Sequence, residues 1–267
     1  MQPAHAYSFD CTGVTVVPDA LSIKQVNAAK SLIQANWPKG APWKFPVLHL
    51  GRVFWEMMTH PHLLNLCSQF AGEHFRMDHA FGLTSNGAIP QLHGGPQSSQ
   101  YSCFYLPLNG GPRKGIAGQL NFGFCLEGQN HNTGGFCYVP GSHKVNDPRA
   151  GLEVFSEVYN SKFDHPSIVV PTLVPGDMIL FTEALVHGDT GWRNRTPGSC
   201  RMQIYYKMTP GFMCWRDPSQ NQNLLQYTET ELERRLLLPP WTGQYEETAT
   251  SMGINNVRRE ATVRPLN

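Results

Sequence analysis

Two of the eleven histidines lie in sequence contexts that suit a metal site. His93 stands in the segment IPQLHGGPQ, at the end of a turn that leads towards a predicted strand. His187 stands in GDMILFTEALVHGDTGW, where a buried strand gives way to a loop. Neutral imidazole is a common ligand for first-row transition metals, so both residues are candidate metal ligands.

Arg201 is a candidate anion-binding residue. It opens the predicted strand RMQIYYKM after a 13-residue loop that follows His187. A guanidinium can bind a carboxylate through two parallel hydrogen bonds. Thr190 is close enough in sequence to hydrogen-bond the same carboxylate, whereas Arg193 and Arg195 lie in the loop and are weaker candidates for this role.

A run of alternating residues, 119–126, predicts a strand with one polar face. Its polar or small residues alternate with large apolar ones, and a period of two places each set on its own face. If the polar face looks into a barrel, Gln119 and Asn121 contact a bound cofactor. A face turned to solvent would have the same pattern.

The elements that must position these residues are predominantly short strands. Glycine and proline number 25 and 21, which favours many turns over long helices. We predict a single domain over 1–267, with a helical cover at about 1–74, a β core at about 75–210 and a C-terminal extension at 211–267. Within the cover, residues 8–17 are predicted to form a strand, and Ser22 is predicted to cap a helix over 23–36.

Composition excludes several classes of protein. The formal net charge of +1 gives no general attraction to nucleic acid polymers or membranes. The seven cysteines form no CxxC pair, no apolar run reaches transmembrane length, and the N-terminus lacks a signal pattern. We therefore expect a cytoplasmic protein that acts on a small molecule, as a monomer or a homodimer.

Three segments, in order, give a specific resemblance. FCYVPGSHK (136–144), GDMILFTEALVHG (176–188) and the arginine that opens the next strand resemble the signatures of the phytanoyl-CoA dioxygenase family of Fe(II)/2-oxoglutarate-dependent oxygenases. The resemblance implies a mainly β, double-stranded β-helix (jelly-roll, cupin-type) fold with N-terminal helices packed on it. It also implies Fe(II) held by His93 and His187, 2-oxoglutarate held by Arg201, and O₂ as co-substrate.

The sequence departs from that family at one position. The first motif of the family is His-x-Asp or His-x-Glu, but here it reads His93-Gly94-Gly95. The iron halogenases of the superfamily have Gly or Ala at this position, which leaves room for a halide on the metal. The resemblance therefore predicts a halogenase that chlorinates (or brominates) an unactivated C–H bond, with the halide at the vacancy left by Gly95.

Two other readings of the vacancy remain open. In the first, water or a displaced carboxylate completes the site and the enzyme hydroxylates; Asp189, Glu183 and Asp78 are the candidate carboxylates. In the second, the protein is a non-catalytic binding module for a small molecule. The HGGP run is also ordinary turn chemistry, which explains the glycines without explaining the missing carboxylate.

The sequence says less about the substrate. Arg113 and Lys114 lie in a basic loop between two predicted strands, and Trp192 lies beside the predicted iron loop. Together they would suit an anionic small molecule such as a nucleotide or an amino acid. Ordinary solvated charge, and a tryptophan in the core, would account for the same residues.

Overall fold

A computed structural model describes residues 3–85, 87, 91–95, 104–107, 115–145, 165–194, 196 and 199–240. Four helices form the N-terminal cover: α1 (Pro3–Thr12), α2 (Ile23–Asn36), α3 (Arg52–Met58) and α4 (Pro61–Phe70). α2 begins at the predicted cap, where the Ser22 side chain and Gln25 form a reciprocal capping box. The predicted helix over 23–36 is therefore confirmed.

The main sheet has six antiparallel strands. In spatial order they are β1 (Val14–Val17), β9 (Met178–Thr182), β7 (Leu120–Cys125), β11 (Arg201–Thr209), β3 (Arg76–Ser85) and β2 (Lys44–Phe45). Three strands form a second antiparallel sheet, in the order β4 (Gln91–His93), β10 (His187–Asp189) and β8 (Phe136–Tyr138). β5 (Tyr105–Pro107) and β6 (Gly115–Ala117) pair with each other.

The two faces of the main sheet bury different cores. Its outer face packs against the helical cover, and the core there includes Phe122 and Phe124 of β7. Its inner face packs towards the second sheet, and the core there includes Cys125, Phe136 and Phe181. This arrangement confirms the mainly β jelly-roll with helices packed on one side, and it puts the polar residues of β7 inside the barrel.

The chain beyond the main sheet wraps back over it. Two short helices, α5 (Ser219–Gln222) and α6 (Glu231–Leu236), follow β11. α6 begins at a second capping box between Thr230 and Glu233, and its Leu236 is fully buried in the outer core. The C-terminal extension is therefore packed on the domain as far as the described residues reach.

The predicted strand over 8–17 is wrong in its first half. Residues 8–12 belong to α1, because Ala6 and Phe9 lie one helical turn apart and are both buried, and the strand starts only after Gly13, whose φ is +82°. Residues 167–173 contribute two isolated bridges, at Val169 and Leu173. Among the described helices, none is long and apolar enough to cross a membrane.

Candidate active site

His93 and His187 face each other across the second sheet. β4 and β10 pair antiparallel with these two residues in direct register, and their ring centroids are 4.2 Å apart. His187 is buried, whereas His93 is exposed. The register between two short strands therefore brings together two imidazoles that are distant in the sequence.

Glu183 completes a group of three ligand-type residues. It follows β9 directly, and the chain then turns back through Leu185, whose amide donates to the Thr182 carbonyl at 3.0 Å, before His187 opens β10. Ligand atoms of His93, Glu183 and His187 all lie within 4.8 Å of one another. Two histidines and one carboxylate are the ligand set of the facial triad of non-haem Fe(II) oxygenases.

The Glu183 carboxylate is held in place through one of its oxygens. Oε2 accepts hydrogen bonds from Asn121 Nδ2 and Lys207 Nζ, both at 2.7 Å. Among the described residues, no hydrogen-bond donor reaches Oε1. Burial by itself raises the pKa of Glu183, but Lys207, His187 and Asn121 together bring it well below its usual range. A charged carboxylate with one free oxygen is suited to bind a cation.

The tautomer of His187 is set by the backbone. Nδ1 lies 2.7 Å from the Leu185 carbonyl and donates to it, so Nε2 carries a free lone pair. Burial, and then the neighbouring His93, lower the pKa of His187 to about 3. The imidazole is therefore neutral at physiological pH, which is the form that binds metals.

The VPGSH segment anchors the strand that carries His187. The Val186 amide donates to Ser142 Oγ at 2.8 Å, and the Val139 amide donates to the Val186 carbonyl at 2.9 Å. Both backbone groups of the residue before His187 are thus fixed by this segment. The sequence signature at 136–144 has a positioning role, which the sequence alone did not reveal.

The prediction of a halide vacancy at Gly95 is not supported by the geometry. Gly95 has a φ of +76°, and a Cβ there would lie 2.4 Å from Cγ2 of Val186. The Cβ of any other residue at this position would therefore clash with the side chain of Val186. Glycine is required here by the backbone, and the carboxylate at the centre comes from Glu183.

The two other candidate carboxylates have different partners. Asp189 forms an ion pair with Arg201, and its other oxygen accepts from the Gly191 amide at 2.7 Å. Asp78 lies 2.6 Å from His79 Nδ1 and also accepts from the Trp215 amide. Of the three carboxylates that the sequence offered, only Glu183 lies with the two histidines.

Arg201 opens β11 as predicted, and it points into the barrel. Besides Asp189, its guanidinium donates to Gln203 Oε1 at 2.6 Å and to the Tyr205 hydroxyl at 3.1 Å. Its Nε is buried and has no hydrogen-bond partner among the described residues, and the same is true of Gln119 Nε2 and Asn121 Oδ1. Buried polar atoms without partners are rare, and these three fit a polar ligand between the sheets.

The remaining predicted site residues have other placements. Thr190 Oγ1 accepts from the Gly135 amide at 3.2 Å and so helps to hold the loop. Trp192 is buried, and its Nε1 donates to Ser199 Oγ at 3.2 Å, which fits a core residue better than a substrate wall. Arg113 and Lys114 lie outside the described residues.

Lys207 was missed by the sequence reasoning. It lies on β11 directly opposite Asn121 of β7 and His79 of β3, so these three side chains form one row on the inner face of the sheet. The alternation of Arg201, Gln203, Tyr205 and Lys207 along the strand was the available signal. Only the register between strands shows that this row lies beside Glu183.

A family model for phytanoyl-CoA dioxygenase (PhyH) matches residues 9–202. The chain belongs to this family. Its members are Fe(II)/2-oxoglutarate-dependent oxygenases, and the group of His93, Glu183 and His187 fits the iron that the family uses. No curated protein gave a significant match.

Solved structures show the same fold. HygX from Streptomyces hygroscopicus, with nickel and 2-oxoglutarate bound, is 24% identical with a TM-score of 0.68, over 81% of this chain and 90% of that chain. EctD from S. alaskensis with bound Fe is 21% identical with a TM-score of 0.56, over 79% and 77%. SnoN, a non-heme alpha ketoglutarate dependent epimerase from nogalamycin biosynthesis, is 19% identical with a TM-score of 0.55, over 78% and 80%.

Proposed function

We propose that this protein is an Fe(II)/2-oxoglutarate-dependent oxygenase that hydroxylates a C–H bond of a small molecule. His93, Glu183 and His187 would hold the iron. The observation that carries the proposal is the placement of the Glu183 carboxylate with the two histidines, with ligand atoms within 4.8 Å of one another. The Fe(II), 2-oxoglutarate and O₂ together supply the oxidising power for breaking an unactivated C–H bond.

The chain's own residues prepare the centre in three ways. Asn121 and Lys207 hold Oε2 of Glu183 and leave Oε1 for the metal. The Leu185 carbonyl fixes the ring of His187 with Nε2 free. Each of these groups has its orientation and protonation state before any metal binds, which lowers the reorganisation that binding requires.

Arg201 is the best candidate to bind the distal carboxylate of 2-oxoglutarate. It is buried inside the barrel, and its Nε has no partner among the described residues. Asp189, Gln203 and Tyr205 already hold the guanidinium in one orientation, so little side-chain freedom is lost on binding. Gln119, with its unpartnered Nε2, is a candidate second donor to the same ligand.

Hydroxylation is favoured over chlorination because a carboxylate stands in the triad. The halogenase reading required the carboxylate position to be vacant, and Glu183 supplies the missing group from a different segment. A small-molecule substrate is supported by the structural neighbours, since HygX has been crystallised with hygromycin B and SnoN with nogalamycin RO.

One titration tests the proposal without knowledge of the substrate. The protein is loaded anaerobically with Fe(II) and 2-oxoglutarate, and the visible metal-to-ligand charge-transfer band is followed while chloride is added. We expect a band that chloride does not shift. A band that shifts saturably with chloride would support chlorination instead, and the absence of any band would contradict the whole assignment.

A matched pair of variants separates the ligands. Glu183→Gln keeps a hydrogen-bond acceptor for Lys207 but removes the charge, and Asp189→Asn makes the equivalent change on the neighbouring carboxylate. We expect the Fe(II) affinity, measured without 2-oxoglutarate, to fall only in Glu183→Gln. If Asp189→Asn instead abolished Fe(II) binding measured without 2-oxoglutarate, Asp189 would be the ligand.

A further inference from the structure

We propose that Lys44 and Arg216 form an anion-binding subsite beside the metal centre, which takes a carboxylate or phosphate group of the substrate. The inference rests on the proposed function and specifies its substrate class. Neither residue was recognised from the sequence as part of a site, and the basic loop that the sequence suggested for this role, with Arg113 and Lys114, is a separate segment.

The register of the main sheet places Lys44 on its inner face. Lys44 of β2 pairs with Leu83 of β3, which in turn lies opposite Gln203 of β11. The Lys44 side chain then reaches over the ring of Phe81, with Nζ 3.8 Å from the ring centroid. Phe81 lies in the next inward-facing row, so the ammonium extends along the sheet towards the row that contains Lys207 and His79.

Arg216 approaches the same place from the segment after β11. Its amide donates to Asp78 Oδ2 at 3.3 Å, which fixes the backbone beside the start of β3. Asp78 in turn lies 2.6 Å from His79 Nδ1, and the ring of His79 is stacked on that of Phe81, over which Lys44 extends. Two segments that are far apart in the sequence therefore bring a lysine and an arginine to the same pair of rings. Burial is the main cause that lowers the pKa of Lys44, and the charge of Arg216 adds to it.

Neither cation has a partner within the part of the chain that the structure describes, since no hydrogen bond or ion pair there reaches the ammonium of Lys44 or the guanidinium of Arg216. Loss of surrounding water, and then the charges of Arg216 and Lys207, lower the pKa of Lys44 to about 8, so it is still predominantly protonated at neutral pH. Adjacent like charges repel each other, and a bound anion would relieve that repulsion.

The position of the cations relates them to the metal centre. Lys207 lies opposite His79 on the inner face of the sheet, and the ammonium of Lys44 lies over the ring of Phe81, which is stacked on that of His79. Lys207 is occupied by Glu183, at 2.7 Å, so it is committed to the metal ligand, while Lys44 and Arg216 have no such partner. An anionic group bound between them would lie beside the row that contains Lys207, and the rest of the substrate would extend towards the metal.

An aromatic surface lies next to the cations. The rings of Phe81 and Tyr205 are stacked with centroids 5.4 Å apart, and those of Phe81 and His79 with centroids 5.7 Å apart. Such a surface can cover a flat or apolar group adjoining the anion. The subsite thus combines charge recognition with an apolar floor, as small-molecule sites usually do.

Phenyl phosphate is a suitable probe because it joins an anion to a flat ring. It is titrated calorimetrically into the anaerobic protein loaded with Fe(II) and 2-oxoglutarate, beside benzyl alcohol and phenyltrimethylammonium as neutral and cationic counterparts. Of the three compounds, we expect only phenyl phosphate to bind saturably. The double variant Lys44→Gln/Arg216→Gln should weaken it by about tenfold or more, since charge-assisted hydrogen bonds are lost.

Lys24→Gln, at an exposed position of α2, is the matched control and should leave the binding unchanged. The affinity for 2-oxoglutarate, read from the charge-transfer band, should be the same in all variants. Loss of 2-oxoglutarate affinity in the double variant, with phosphate binding unchanged, would assign the cations to the cofactor and overturn the proposal. So would equal phosphate affinity in the wild type and the double variant.

A conservative variant and a measurement of folding complete the test. Lys44→Arg should retain phosphate binding, which distinguishes a need for charge from damage to the fold, and thermal melting checks that each variant is folded. If the wild type itself forms no charge-transfer band, the proposed function fails at the metal centre. That result is distinct from a band that forms normally while the anion does not bind.

Discussion

Glu183 and His187 stand at the two ends of one short connection between β9 and β10, and both turn towards His93. The connection is tight because the Leu185 amide returns to the Thr182 carbonyl, and because the Leu185 carbonyl accepts from His187. Two of the three proposed ligands are thus fixed relative to each other by local hydrogen bonds.

Removing the Glu183 carboxylate should abolish tight metal binding. For Glu183→Ala we expect the Fe(II) affinity, measured by anaerobic equilibrium dialysis, to fall by at least about 100-fold, because a direct ligand contributes more than the groups that orient it. Glu127→Ala, which removes a half-exposed carboxylate paired with Lys30, should change nothing. Retention of full affinity in Glu183→Ala would exclude Glu183 as a ligand.

The hydrogen bonds behind Glu183 should matter to a smaller degree. Asn121→Leu removes the 2.7 Å bond to Oε2 while leaving Lys207 in place. We expect the Fe(II) affinity to fall by about 10- to 100-fold. Asn121→Asp should be worse still, because it sets a second carboxylate against Glu183. Equal affinities for wild type and Asn121→Leu would show that Lys207 alone positions the ligand.

Arg201 should determine the affinity for 2-oxoglutarate more than that for iron. Arg201→Lys keeps the positive charge but loses the planar fork, so we expect 2-oxoglutarate to bind about 10- to 100-fold more weakly. Fe(II) binding without 2-oxoglutarate should be unchanged. Wild-type affinity for 2-oxoglutarate in Arg201→Lys would contradict the role that the family resemblance gives to this residue.

Replacing Gly95 should destabilise the fold, with or without a halide in solution. Gly95→Ala combines a positive φ with a contact of 2.4 Å to Val186, and we expect it to lower the free energy of unfolding by about 2–3 kcal/mol in urea. Gly40 has a φ of +105° with nothing within 4 Å of an added Cβ, so Gly40→Ala should cost only about 1 kcal/mol. Val186→Ala should recover part of the difference when it is combined with Gly95→Ala. Equal losses in the two single variants would contradict the clash.

His143 should contribute to acid lability. Burial is the main cause that lowers its pKa to about 4, and its Nε2 donates to the Asp10 carbonyl at 3.0 Å. Because its pKa is lower in the folded state, the unfolded chain takes up the proton first as the pH falls from about 6.5 towards 4. The free energy of unfolding should decrease over that window, by at most about 3 kcal/mol from this residue.

The measurement is urea unfolding of wild type and His143→Gln at several pH values. Their difference in stability should shrink as the pH falls from about 6.5 to 4, because only the wild type must keep this imidazole neutral. His131→Gln, at an exposed position, is the control and should follow the wild type throughout. A difference that is constant with pH would contradict the prediction.

The sequence predicted the features that depend on local patterns. Ser22 and Gln25 specify the start of α2 by themselves, and Arg201 opens its strand as the family signature implies. His93 and His187 were also recognised, because each lies in a segment whose neighbours carry the resemblance. These predictions required no knowledge of which strands are adjacent.

The carboxylate ligand could not be selected in the same way. The family motif has its carboxylate two positions after His93, but that position is Gly95, where a Cβ would clash with Val186. Glu183, Asp189 and Asp78 were equivalent candidates in the sequence, and only the turn after β9 and the pairing of β10 with β4 distinguish them. The contribution of Lys207 likewise depends on its register with Asn121.

The arrangement of Glu183 and His187 on one connection also has a consequence for stability. A metal ion bound at this centre would join that connection to His93 and so close a chain loop of about 90 residues. Its effect on the unfolded state would resemble that of a long-range cross-link, present only while the ion is bound. The metal-loaded protein should therefore tolerate heat and proteases better than the apoprotein, and β4 should be the first strand to detach when the ion is removed.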